Sequence, residues 1–157
     1  MDWLQVCEHP SLRNLPFKIE LDELGRIIMS PLKVAHSLYQ GKLTRLLYQH
    51  LQQGEVLVEC AIRTCKGTKV ADVAWAFNPR LQVIEKQTEC LIAPEICIEV
   101  LSNSNSKKEM SLKKQLYFDN GAQEVWICDL YGKIRFYTQQ DEIKQSEFAP
   151  DFPNAIA

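Results

Sequence analysis

Between residues 95 and 130 the chain reads strand, helix, strand. Glu95-Ile96-Cys97-Ile98-Glu99-Val100-Leu101 is an apolar run of strand-forming residues, residues 107–120 have helical spacing that stops at Gly121, and residues 124–130 are apolar again. Such an order implies a crossover, which favours a mixed sheet with helices packed on it. Residues 133–138 return through Tyr131-Gly132 as a hairpin.

The remaining segments fit the same plan. Phe17-Lys18-Ile19-Glu20-Leu21 alternates with period two and, after turn residues 22–25, pairs with residues 26–29. A long helix is expected over residues 34–53, with Ala35, Leu38, Tyr39, Leu43, Leu46, Leu47 and Leu51 on its apolar side and Gly54 as its stop. Residues 56–62 and 70–77 read as a strand pair around a polar turn at 63–69. The expected class is α/β, in an α+β-like form, and 157 residues without a repeat or a Gly/Ser-rich linker suggest one domain over 1–157.

Charge and cysteine usage narrow the functional classes. Eighteen Lys and Arg against twenty Asp and Glu give a net charge of -2, so a polyanionic partner must be met by a local basic patch. The longest wholly apolar run is residues 73–77, far short of the roughly 20 residues of a membrane span. Asp2 stands where a secretory leader needs basic residues, which argues against export. Of the six cysteines, Cys60, Cys97 and Cys128 fall inside strand-like runs as small hydrophobes, and Cys7-x-His9 and Cys60-x4-Cys65 lack structural-zinc spacing. A cytoplasmic protein with no membrane partner is expected.

Three charged residues violate the apolar pattern. A buried charge costs several kcal/mol unless it is paired or coordinates a cation. Asp72 interrupts Val70-Ala71-Asp72-Val73-Ala74-Trp75-Ala76-Phe77, and Glu99 interrupts the strand that follows Pro94. At about 100° per residue, Lys113 falls in the middle of the arc formed by Met110, Leu112, Leu116 and Tyr117. It must snorkel or reach a buried anion. The bland alternative places both acids on strand edges facing water. The chemical alternative is two carboxylates holding a hard divalent cation beside a lysine, a set that suits phosphodiester hydrolysis.

Ala71-Asp72-Val73-Ala74, the run Ala93-Pro94-Glu95-Ile96-Cys97-Ile98-Glu99-Val100-Leu101-Ser102, Lys113-x3-Tyr117-x3-Gly121 and Glu124-Val125-Trp126-Ile127-Cys128-Asp129 follow in an order and spacing that resembles the Uma-two family of restriction endonucleases. That family lies within the PD-(D/E)XK nuclease superfamily. The resemblance runs from about residue 17 to 156 and includes Met29-Ser30-Pro31, His36 and Phe152-Pro153-Asn154. It implies a restriction-endonuclease-like mixed central sheet flanked by helices and preceded by an N-terminal hairpin.

It also implies that Asp72 and Glu99 are the metal-binding carboxylates, with Val100 supplying a main-chain carbonyl. The superfamily lysine would stand at Leu101, so the resemblance points to Lys113, displaced onto the following helix. Ala71, Glu95 and Asn103 replace a usual Pro, Asp and Pro, and residues 34–53 hold no Asp or Glu for a first-helix acid. His36 and Glu59 are candidate auxiliary groups, each with an ordinary structural role as the alternative. Magnesium is the expected ion and manganese a substitute. DNA is the expected substrate, contacted by Arg63, Lys66, Lys69, Lys107 and Lys108, and a homodimer would supply two centres for a double-strand break. The competing classes are a catalytically inactive nuclease-fold binding or assembly protein and a small-molecule enzyme with a deep pocket.

Overall fold

A computed structural model describes residues 1–156. A short helix α1 (Trp3–Glu8), capped by Asp2, and one turn of 3-10 helix precede the antiparallel hairpin β1 (Phe17–Leu21) and β2 (Ile27–Pro31). Helix α2 (Val34–His50) leads into β3 (Gly54–Thr64) and β4 (Gly67–Phe77), then α3 (Asn78–Ile84) and β5 (Ile96–Val100). Helix α4 (Lys107–Asp119) crosses to β6 (Glu124–Cys128), and β7 (Ile134–Tyr137) and β8 (Glu142–Ile143) are the last strands among the described residues. The main sheet has the order β3-β4-β5-β6-β7-β8, and only β5 and β6 are parallel, so it is the mixed sheet that the crossover demands.

Alternation along the strands divides the core between two faces. Val73, Trp75, Ile96, Ile98 and Trp126 point to the side covered by Leu43 and Leu47 of α2, and Phe136 and Phe152 stack on Trp126 there. Ala74, Ala76, Cys97 and Val125 point to the other side, against Ile84 of α3 and Tyr117 and Phe118 of α4. Each large side chain buried in these layers contributes on the order of 2–3 kcal/mol.

Three local expectations need correction. Helix α2 ends at His50, because Leu51 is extended and Gln53 has φ 60°. Gly54 is therefore the first residue of β3 and not a helix stop, and a Cβ there would sit 2.4 Å from the Ala76 carbonyl oxygen. The polar turn expected over 63–69 is almost all strand: β3 and β4 pair from Gly54 and Phe77 to Thr64 and Gly67, which leaves Cys65 and Lys66 as the turn. Leu112 is 44% exposed and so lies outside the buried arc of α4, which holds Met110, Lys113, Leu116 and Tyr117. No described helix is long and apolar enough to cross a membrane.

Candidate active site

The β4–β5 ladder pairs Trp75 with Ile96, Ala74 with Cys97 and Val73 with Ile98, and then stops. Continued by one residue, the same register would set Asp72 opposite Glu99. Both carboxylates belong to the α4 face by alternation, and the ladder gives way where they meet. Asp72 Oδ2 accepts the Val100 N–H at 2.7 Å in place of a backbone acceptor. Both side chains are almost wholly buried.

Helix α4 lies over this point. Residues four apart share a helix face, and Lys113 and Tyr117 both reach Glu99 Oε1, the ammonium at 3.4 Å and the Tyr117 hydroxyl as a hydrogen-bond donor. Lys113 is also 2.8 Å from Glu20 Oε2. From α2, His36 Nε2 stands 3.3 Å from Asp72 Oδ2, and Gln40 donates to the Asp72 carbonyl oxygen.

Hairpin β1–β2 closes the remaining side. Glu20 accepts the Val70 N–H at 2.6 Å and Lys69 donates to the Leu21 carbonyl oxygen at 3.0 Å, which fastens β1 along β4. Lys18 and Glu20, two residues apart on one face of β1, therefore enter the cluster. The Lys18 ammonium lies between the two central acids, 3.0 Å from Asp72 Oδ1 and 3.6 Å from Glu99 Oε2.

These neighbours set the protonation of the site. Burial disfavours the Glu99 charge and, against the opposing fields of Lys113 and Lys18, raises its pKa to about 7. Burial also acts on Asp72, but His36, Lys18 and the Val100 N–H overcome it and hold this acid well below the usual range. Glu20 is likewise lowered, because Lys113 and Lys18 outweigh its desolvation. The Lys18 ammonium loses hydration, yet Glu99, Asp72 and Glu20 favour its charge more strongly and raise its pKa. His36 is raised by its bond to Asp72.

A small hard cation would find a suitable donor pair here. Asp72 Oδ1 and Glu99 Oε2 converge on one point, and Lys18 is the single described partner of each. Magnesium commonly takes one or two carboxylates and completes its shell with water. No group of three or more His, Cys, Asp and Glu side chains suited to holding a metal occurs among the described residues, so protein side chains would supply only part of the shell.

The structure thus brings together Asp72, Glu99, Lys113 and His36, with Val100 contributing its N–H. Glu59 does not join them. It stands opposite Asp72 across β3–β4, but its φ of 54° breaks the ladder and its side chain is exposed. Arg63 and Lys66 sit at the far end of that hairpin, paired with Glu89 and Glu23. Lys69 is buried against β1, and so is not placed to meet a phosphate from solvent. Lys107 and Lys108 are exposed on the first turn of α4. Sequence reasoning missed Lys18 and Glu20: alternation puts them on one strand face but does not say what that face meets.

The family Uma2, described as "Putative restriction endonuclease", matches residues 4–155, and the chain belongs to it. A solved structure from Anabaena variabilis ATCC 29413, described as a "putative nuclease belonging to DUF820", superposes with a TM-score of 0.74 at 20% identity. The match covers 96% of this chain and 93% of that one, and establishes the shared fold. No curated protein matches the sequence.

Proposed function

We propose that the protein is a cytoplasmic endonuclease that hydrolyses DNA phosphodiester bonds with magnesium, or manganese in its place, held by Asp72 and Glu99. The observation that carries this reading is the convergence of one oxygen from each of two buried carboxylates, with Lys113 touching the second. The ion, when bound, would supply positive charge to a phosphoryl oxygen and acidify a water molecule. The Val100 carbonyl is a candidate main-chain ligand.

The chain's own groups have distinct tasks. The Val100 N–H and His36 hold one Asp72 oxygen, which would leave the other to hold a divalent cation. Tyr117 does the same for Glu99. Lys113, steadied by Glu20, brings a fixed positive charge to the pentacovalent transition state and orients the attacking water. Two-fold pairing of protomers would place one such centre on each DNA strand.

A second reading has one specific observation behind it: the Lys18 ammonium already neutralises the carboxylate pair, as it would in a catalytically inactive nuclease-fold binding protein. Cleavage of supercoiled plasmid and of single-stranded DNA with magnesium or manganese separates the two. The nuclease reading expects wild type to cut, and Asp72→Asn and Lys113→Ala to lose activity by about 10²-fold or more. Equal cutting by wild type and Lys113→Ala would refute it, and absence of both cutting and metal uptake by wild type would favour the binding protein.

A further inference from the structure

A cleft of about 450 Å³ lies beside the carboxylate cluster, between the start of α4 and strands β6 and β7. Its walls carry Lys107, Lys114, Lys133 and Arg135, against the one acid Asp129. That acid is already engaged, since its Oδ1 caps the β6–β7 turn by accepting the N–H groups of Tyr131 and Lys133. None of the four cations forms an ion pair among the described residues. Arg63 and Lys66, at the end of the β3–β4 hairpin, are by contrast both neutralised.

Three further features suit this cleft to an extended polyanion. The Lys114 ammonium is held 3.8 Å from the centre of the Tyr137 ring, which fixes its position on the wall. Ser106, the N-cap of α4, lines the cleft, so the positive end of a 13-residue helix adds to the potential of the side chains. Asn105 lines both this cleft and the one that contains Asp72, Glu99 and Lys113, so the two are neighbours across that residue. In a chain of net charge -2, this is a local basic surface that adjoins the candidate centre.

We propose that this cleft is the track for the phosphodiester backbone of duplex DNA, with Lys107, Lys114, Lys133 and Arg135 contacting phosphates on one side of the bond presented to Asp72 and Glu99. The assignment rests on the nuclease reading for its partner and replaces Arg63, Lys66 and Lys69 as the contact set. Contacts of this kind position the duplex without reading its sequence.

Equilibrium binding of a fluorescent duplex, measured by anisotropy in EDTA over a salt series, tests it. Lys114→Gln with Arg135→Gln should weaken binding by on the order of tenfold or more near 0.1 M salt and reduce the slope of log affinity against log salt by about 2. Arg63→Gln with Lys66→Gln should change neither. Lys107→Gln with Lys133→Gln, both exposed, gives the same readout if the first pair melts early. Unchanged affinity and slope in the cleft variants, equal loss in the control pair, or no duplex binding by wild type would overturn the proposal. Loss of inorganic-phosphate binding with unaltered duplex affinity would also overturn it and assign the cleft to a small anion. Duplex binding through the cleft without plasmid cleavage would sink the nuclease reading alone, and cleavage with an unaltered salt slope would sink the cleft alone.

Discussion

Lys18→Met removes the ammonium that lies 3.0 Å from Asp72 and 3.6 Å from Glu99 while keeping an unbranched side chain of similar length. At an effective dielectric constant of about 20, each of these contacts carries on the order of 5 kcal/mol of Coulomb energy, most of it cancelled by desolvation. The net cost of stripping one partner from a buried pair is about 3–5 kcal/mol. For a chain of this length, 1 kcal/mol corresponds to roughly 2–4 °C in Tm, so the variant should melt on the order of 10 °C below wild type in EDTA. A divalent cation should then recover much of the loss, because it no longer competes with the ammonium. Saturation at 100 times Kd contributes about 2.7 kcal/mol. Thermal melts of both proteins with and without magnesium read both effects. Equal Tm in EDTA, or an equal magnesium shift in both proteins, would refute the argument that Lys18 and the cation share one place.

Other substitutions probe the groups that hold the site. Tyr117→Phe deletes the donor to Glu99 Oε1 and should lower plasmid cleavage at least about tenfold with the fold retained by circular dichroism. Gly67→Ala should destabilise by about 1–3 kcal/mol in urea titrations, since φ is 88° and a Cβ would lie 2.3 Å from the carbonyl oxygens of Leu21 and Asp22. Glu124→Ala strands the Ser146 hydroxyl, the Glu147 N–H and the Trp126 indole N–H, and should cost about 2–4 kcal/mol by calorimetry. Sedimentation equilibrium should give twice the monomer mass if two centres act on one duplex, and a monomer at every concentration would remove the dimer from the account.

Much of this architecture was legible because its rules are local. Period-two alternation found β1, apolar strand-forming runs found β5 and β6, and the arc of α4 located Lys113 because a lysine among Met110, Leu116 and Tyr117 has few places to go. That alternation was silent about Lys18 and Glu20. A strand with one polar face ordinarily turns that face to water, and nothing within residues 17–21 says that this face lies against the stretch of β4 that β5 leaves uncovered. The segment 63–69 failed for a related reason: Thr68 and Lys69 are polar in composition yet buried, Thr68 through its bond to Glu89 and Lys69 through the Leu21 carbonyl. Helix α3 begins at Asn78-Pro79, where the proline reads as a breaker unless its place in the first turn is known.

Crystals soaked in manganese and measured at its anomalous edge would test the central claim most directly. The account predicts one peak about 2 Å from both Asp72 Oδ1 and Glu99 Oε2, with the Lys18 ammonium withdrawn from between them. A site without anomalous density at saturating manganese, with Lys18 still bridging the two acids, would contradict it.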